Sequence, residues 1–229
     1  MDYKMIPDRL IWILFRRRQI AKRIRGFRAH ISSYATQDCQ FEEYVNLHSG
    51  SCIYSSQIGR ASYITDATLS KVITGKFCSI GQGAKIGLGR HPTNFLSTHP
   101  AFYSSGDQTL LHIAKIPDFD ELSPVVLGND VWIGANSLLM SGVSVGDGAV
   151  IGAGAIVTKD IPPYAIAVGS PARVFRYRFD EKTVSMLLKL QWWNKLDKEI
   201  ETIFKTISPN GSIQPLELER LMSNNISLK

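Results

Sequence analysis

From Leu127 onward an aliphatic residue returns at every sixth position: Leu127, Ile133, Leu139, Val145, Ile151 and Val157. Glycine follows four of them, at Gly128, Gly134, Gly146 and Gly152. Six helical steps of about 100° would point successive members in three directions, so no amphipathic helix is encoded. An even period keeps them on one face of a strand, yet a single strand of this length would run about 120 Å, several times the usual span. The chain must therefore turn within each hexapeptide. A short strand and a corner, with the aliphatic side chain pointing into a prism, satisfy the pattern; three faces make a coil of about 18 residues, and coils stack about 4.8 Å apart.

The fourth residue after each aliphatic is Val131, Ser137, Val143, Ala149, Ala155 or Ile161, mostly small, as a cramped position beside a corner requires. Gly, Asn and Asp between them suit corners with unusual backbone angles. An earlier block carries Ile58-Gly59, Ile64, Ile80-Gly81 and Ile86-Gly87. It loses the period between Thr65 and Phe77, which predicts a distorted or interrupted coil there. An antiparallel sandwich is disfavoured, because its turns come about every 8 to 12 residues. After Leu88 the period stops and resumes only near Val126, an excursion of roughly 35 residues that carries His91, His99 and His112. Its length alone marks it as a functional candidate.

A solenoid has two open ends that need covers. Val184, Leu187, Leu188 and Trp192, then Ile200, Ile203, Phe204 and Ile207, follow helical stripes and are expected to cover the C-terminal end, with Asp180 as an N-cap. The Trp192-Trp193 pair is read as packing, with the acceptor pocket as the alternative. The expected organisation is a basic helical N-terminal segment over 1–40, a β-helix over 41–178 with its loop at about 89–125, and a helical tail over 179–229.

Charge sharpens the picture at one end. The 229 residues carry a formal +6, but residues 1–28 hold nine basic and two acidic side chains, so the remainder is close to neutral. The leading reading of the basic apolar segment 5–28 is a helix capping the first coil; peripheral contact with an anionic membrane surface is the alternative. Nucleic-acid binding is disfavoured because no recognised module accompanies the charge. The longest early apolar run, Leu10 to Phe15, is too short to span a bilayer, and no signal-peptide pattern surrounds it. Cys39, Cys52 and Cys78 show no disulfide or metal spacing. These features point to a cytoplasmic protein, with membrane association as the variant.

The [Leu/Ile/Val]-Gly-x-x-small-x repeats resemble the hexapeptide-repeat acyltransferases. Two further motifs narrow the likeness. The segment from Gly89 to Phe102, reading GRHPTNFLSTHPAF, is similar to the catalytic stretch of the xenobiotic acetyltransferase branch, which acetylates chloramphenicol and streptogramin A. Arg178-Phe179, Leu187-Leu188 and Trp192-Trp193 resemble that branch's helical tail. The resemblance covers about residues 58 to 205. It implies an all-β solenoid, a left-handed parallel β-helix with a long excursion loop and C-terminal α-helices, working as a homotrimer.

The reaction implied is acetyl transfer from acetyl-CoA to a hydroxyl. An alcohol is a weak nucleophile at neutral pH and needs a base, and a neutral imidazole is suited to that task. By motif position the base is His91, with Thr98 and His99 shaping the acceptor site. The resemblance also implies acetyl-CoA contacts at Trp132, Ala135 and Ala153 along the pantetheine arm, Thr158 and Lys159 near the adenine, and Arg173 and Arg176 toward the phosphates. His112 is read as a surface residue. No metal is implied, and no phosphate loop for a nucleotide triphosphate or NAD is present. The expected acceptor is a sugar hydroxyl in surface-polysaccharide assembly; an antibiotic of the chloramphenicol or streptogramin A type is the alternative. A zinc-dependent or non-enzymatic β-helix is a further one, weakened because the three nearby histidines all lie in one excursion.

Overall fold

The computed structural model describes residues 8–104, 108–113, 119–208 and 212–224. The parts of the N-terminal segment, the excursion and the tail expected at 1–7, 105–107, 114–118, 209–211 and 225–229 lie outside the described residues.

The hexapeptides form a parallel β-solenoid with three faces. Face A stacks Arg28–Ala29, Asn46–Leu47, Tyr63–Ile64, Ser79–Ile80, Trp132–Ile133, Val150–Ile151 and Ala165–Val168. Face B stacks Tyr34–Ala35, Cys52–Tyr54, Thr68–Ser70, Lys85–Leu88, Leu138–Met140 and Ile156–Val157. Face C stacks Gln40–Phe41, Gln57–Ile58, Val72–Thr74, Val125–Leu127 and Ser144–Val145. The chain thus climbs A to B to C through about seven coils, the all-β solenoid that the period requires.

The six aliphatics of the regular block line one core, each no more than 2% exposed. Two positions before each strand aliphatic sits its small companion, and Val131, Ser137, Val143, Ala149 and Ala155 are all buried beside them. The Ser137 hydroxyl donates to the Gly134 carbonyl at 2.8 Å, so its burial leaves no orphan. Glycine follows the aliphatic because adjacent coils are in contact. A Cβ on Gly134 would lie 2.5 Å from the Ala153 amide nitrogen and 2.7 Å from the Ile151 carbonyl oxygen.

Two expectations change. The first coil begins at Arg28, so residues 28–40 belong to the β-helix and not to the basic N-terminal segment. Phe27, Ser33 and Cys39 in the companion positions, with Ala29, Ala35 and Phe41 in the aliphatic ones, keep the six-residue period with residue types that hide it. Between Thr65 and Phe77 the coil is distorted, as one alternative had it, but not interrupted. Ile64, Leu69 and Thr74 occupy three successive faces at five-residue spacing, each buried, so one residue is lost from each corner while the face register persists.

The ends are closed by unlike devices. A helix over residues 8–23 (α1), with one π-helical turn at Trp12–Arg16, lies across the first coil. Trp12 is fully buried in the main core, and Ile13, Ile20 and Ile24 pack against it. The capping reading of this segment therefore holds for the described residues. Arg16 donates to the Ala35 carbonyl at 3.1 Å and Arg17 to the Ala29 carbonyl at 2.8 Å, satisfying acceptors on the edge strands. At the other end the segment 169–172 crosses the last coil, where Ala172 is buried, and Arg173–Tyr177 returns antiparallel to Ala165–Val168.

The C-terminal helices do not cover that end. Glu181–Leu190 (α2), Asp197–Ile207 (α3) and Pro215–Asn224 (α4) form a second core with Tyr164, Leu187, Leu190, Ile203, Ile207 and Leu218. They pack along the corner between faces C and A. Phe77 meets Trp192 at 4.8 Å between ring centroids, Lys76 donates to Asn194 at 2.8 Å, and Arg178 pairs with Asp130 at 2.9 Å while reaching the Gly148 carbonyl at 2.7 Å. Arg60 bonds Asp197 at the same corner. Tyr44, Phe77 and Tyr164 adopt left-handed backbone there, with φ of 60°, 59° and 56°. For bulky residues this is costly, and for Phe77 and Tyr164 the ring contacts with Trp192 and Phe179 offset it. Trp192-Trp193 is thus packing, as expected. Asp180 caps α2, its carboxylate accepting the Thr183 amide at 2.7 Å.

Candidate active site

The excursion leaves the prism at the corner between faces B and C, after Leu88, and rejoins it at Val125. Its two stems are tied together. The Arg90 amide donates to the Glu121 carbonyl at 3.0 Å, and the Arg90 guanidinium donates to the Ser123 hydroxyl at 3.0 Å.

His91 sits just beyond this tie, solvent-exposed, with one ring nitrogen committed. Nδ1 lies 2.8 Å from the Thr98 carbonyl oxygen and 2.7 Å from the Tyr103 hydroxyl. A carbonyl oxygen can only accept, so Nδ1 carries the proton and shares it with the Tyr103 oxygen. The other nitrogen, Nε2, is left with its lone pair free to take a proton. Tyr103 is 1% exposed, and burial, aided by the Glu121 charge, raises its phenol pKa, so it stays a neutral hydroxyl. Its ring stands edge-on to His91 at 5.9 Å and to Phe119 at 5.4 Å, with Phe95 completing an aromatic cluster behind the imidazole. Tyr103 is the member that sequence reasoning missed. The signal was present in the tail of the loop motif, one residue beyond the quoted stretch, but no spacing rule assigns a tyrosine there to a histidine.

Thr98 and His99 lie beside His91, but their observed bonds are structural. Thr98 uses its backbone carbonyl to orient the imidazole. His99 opens the 3-10 turn Pro100–Phe102, its Nδ1 accepting the Ala101 amide at 3.2 Å. Both remain exposed and able to face an acceptor. His112 is exposed. Among the described residues no group of three or more His, Cys, Asp or Glu side chains is arranged to hold a metal.

The residues implied for acetyl-CoA divide between two places. Trp132 is 56% exposed on the outer side of face A, in one row with Val150, Ile166 and Arg176 through successive strand pairings. Ala135 and Ala153 stack at the adjoining corner between faces A and B, where the Gly154 amide donates to the Ala135 carbonyl at 2.8 Å. Arg173 pairs with Val168 at the end of the same face. Around Gly154 an added Cβ would meet nothing within 4 Å, so this corner is open. Arg173 and Arg176 are exposed at its end, where phosphates would lie.

Thr158 and Lys159 lie elsewhere. They follow Ile156–Val157 at the far side of face B, below Leu88 and Met140, which pair in the coils above. This is the corner from which the excursion springs. In one chain, then, face B separates His91, Thr158 and Lys159 from Trp132, Ala135, Ala153 and Arg173. A cleft using both groups needs the B/C corner of one copy set against the A/B corner of another.

Known proteins agree with this architecture. Residues 124–159 match the bacterial transferase hexapeptide model of six repeats. A chloramphenicol acetyltransferase of Agrobacterium fabrum is 39% identical over 140 residues, covering 57% of this chain and 63% of that one. One from Escherichia coli is 42% identical over 147 residues, covering 62% and 69%. A probable macrolide acetyltransferase of Lysinibacillus sphaericus is 35% identical over 150 residues, covering 64% and 82%. The chain spans 60 to 63% of the length of three of the chloramphenicol acetyltransferases it matches. Repeats, excursion and helical tail together place it: the chain belongs to the hexapeptide-repeat acetyltransferase family, in the xenobiotic acetyltransferase branch.

Proposed function

We propose that the chain is an acetyl-CoA-dependent O-acetyltransferase with His91 as general base. The observation that carries this reading is the His91 ring, held through Nδ1 by the Thr98 carbonyl with Nε2 free. Acetyl-CoA supplies the activated acetyl group, and its thiolate leaves readily. His91 Nε2 removes the acceptor hydroxyl proton as that oxygen bonds to the acetyl carbonyl carbon; the carbon–sulfur bond breaks, and the imidazolium returns the proton to the leaving sulfur. Trp132, Ala135 and Ala153 would hold the pantetheine arm, Thr158 and Lys159 would lie near the adenine end, and Arg173 and Arg176 would neutralise phosphate charge.

The two separated groups of residues support a site between copies. A contact between two different corners is heterologous, and such contacts close into rings when the rotation permits. The homotrimer of the family is the ring proposed here.

For the acceptor, a sugar hydroxyl in surface-polysaccharide assembly is the first reading. The exposed Thr98 and His99 side chains on the excursion that carries His91 would offer hydrogen-bonding groups to a polyhydroxyl acceptor. The names of the relatives favour a second reading, a chloramphenicol-type or macrolide-type antibiotic, and the Phe95, Tyr103 and Phe119 cluster would suit its apolar parts. Thiol release from acetyl-CoA, measured with a glycoside panel, chloramphenicol and streptogramin A, separates the readings. Efficient turnover confined to a drug would end the sugar reading, and no thiol release with any acceptor would end the transferase reading.

A further inference from the structure

Helix α1 has two faces, and capping uses only one. Trp12, Ile13, Ile20 and Ile24 turn toward the first coil, and Arg16 and Arg17 bind its edge carbonyls. Facing away, Leu10, Leu14 and Phe15 remain 46%, 45% and 47% exposed, with Leu10 and Leu14 one turn apart. Arg18, Lys22 and Arg23 are exposed at the far end of the same helix, and among the described residues no carboxylate pairs with them. Asp8, the acid of this helix, is committed to Arg16 at 2.9 Å and to the Tyr34 hydroxyl at 2.5 Å.

We propose that the outward face of α1 is a docking surface for an anionic lipid bilayer. An exposed apolar ridge beside unpaired cations is the arrangement of an interfacial helix, where apolar side chains enter the acyl boundary and cations remain among phosphate headgroups. Charge complementarity favours this occupant, because residues 1–28 carry the protein's surplus of positive charge while the rest is nearly neutral. The ridge argues against a nucleic-acid partner, whose phosphates would leave Leu10, Leu14 and Phe15 without a role. The placement suits a planar surface. Because α1 lies across the end of the prism, copies packed side by side leave the outward face uncovered, and three of them would point the same way. The contact is peripheral, since among the described residues no helix is long and apolar enough to cross a membrane.

The test is flotation of the full chain with vesicles of equal parts phosphatidylglycerol and phosphatidylcholine, beside pure phosphatidylcholine vesicles and a duplex RNA. Two paired variants report on the two components: Leu14→Ser with Phe15→Ser, and Arg18→Glu with Lys22→Glu. All four side chains are outside the packed core, and circular dichroism with thermal melting verifies the fold. The expected result is flotation with the anionic vesicles, at least about tenfold weaker on phosphatidylcholine and about tenfold weaker for each pair. Failure of the folded wild type to float would overturn the proposal. So would RNA binding as strong as vesicle binding that the serine pair leaves unchanged, which would assign the face to nucleic acid.

Discussion

Two corners of the prism carry the residues proposed for the site, and they are built by different rules. At the A/B corner, Ala135 and Ala153 are placed by stacking: Ile133 pairs with Ile151, the glycines allow the coils to touch, and left-handed turns at Asn136 and Gly154 repeat the bend. At the B/C corner, His91 is placed by contacts that occur once, with the Thr98 carbonyl, the Tyr103 hydroxyl and the Arg90 tie. The repeat supplies a surface that is the same in each coil and can bind an extended arm. The excursion holds, by contacts that occur once, the histidine proposed as the base.

The largest expected effect strikes the second corner alone. His91→Ala should lower turnover by about 10² or more while leaving the melting temperature and acetyl-CoA affinity near wild type. Unchanged turnover would remove His91 from the mechanism. The converse strike is Leu139→Ala in the core between the corners, where a fully buried side chain is lost. It should cost about 2–5 kcal/mol in denaturant unfolding while activity per folded molecule persists. A large loss of activity without loss of stability would contradict the division.

Tyr103→Phe is a finer cut. The ring packing remains and only the hydroxyl beside His91 Nδ1 is removed, so kcat should fall about tenfold with KM for both substrates unchanged. A rise in KM alone would make Tyr103 an acceptor contact instead of a positioning residue. Lys159→Ala should raise the KM for acetyl-CoA only severalfold, and less at high salt, because exposed cations contribute about 1 kcal/mol or less.

The smallest effect belongs to the N-terminal cap. Burial raises the Asp8 pKa, but hydrogen bonds from Tyr34 and Arg16 outweigh it and leave the carboxyl below its ordinary value of 3.8. A depressed carboxylate stabilises the fold above the unfolded pKa and loses that contribution as pH falls through the folded one. The melting temperature of Asp8→Asn should therefore decline less than wild type on acidification below about pH 4. Parallel declines would show that the cap does not depend on this carboxylate.

Much of this was legible in the residues. The period from Leu127 to Val157 dictates the solenoid because close-packed coils favour an aliphatic side chain at the inward position and, as at Gly134, leave little room for a Cβ after it. The excursion was legible because the period stops, whereas His91 was singled out among its three histidines only through the likeness of its motif to the xenobiotic branch. The first coil was not, since Phe27, Ser33 and Cys39 fill companion positions with dissimilar side chains, and the five-residue faces at Leu69 and Thr74 break a count without breaking the fold. Tyr103 and the lateral seat of the C-terminal helices depend on contacts between segments far apart in sequence, such as Lys76 with Asn194, which no local pattern encodes.

The central claim is that catalysis joins the B/C corner of one copy to the A/B corner of the next. Mixing two defective chains tests it most directly: His91→Ala, which lacks the base, and Ala153→Trp, which fills the open corner. After co-refolding, the account predicts that mixed oligomers regain a substantial fraction of wild-type turnover, because some interfaces unite an intact His91 with an intact A/B corner. A mixture of confirmed hetero-oligomers as inactive as its parents would contradict it and place the whole site within one chain.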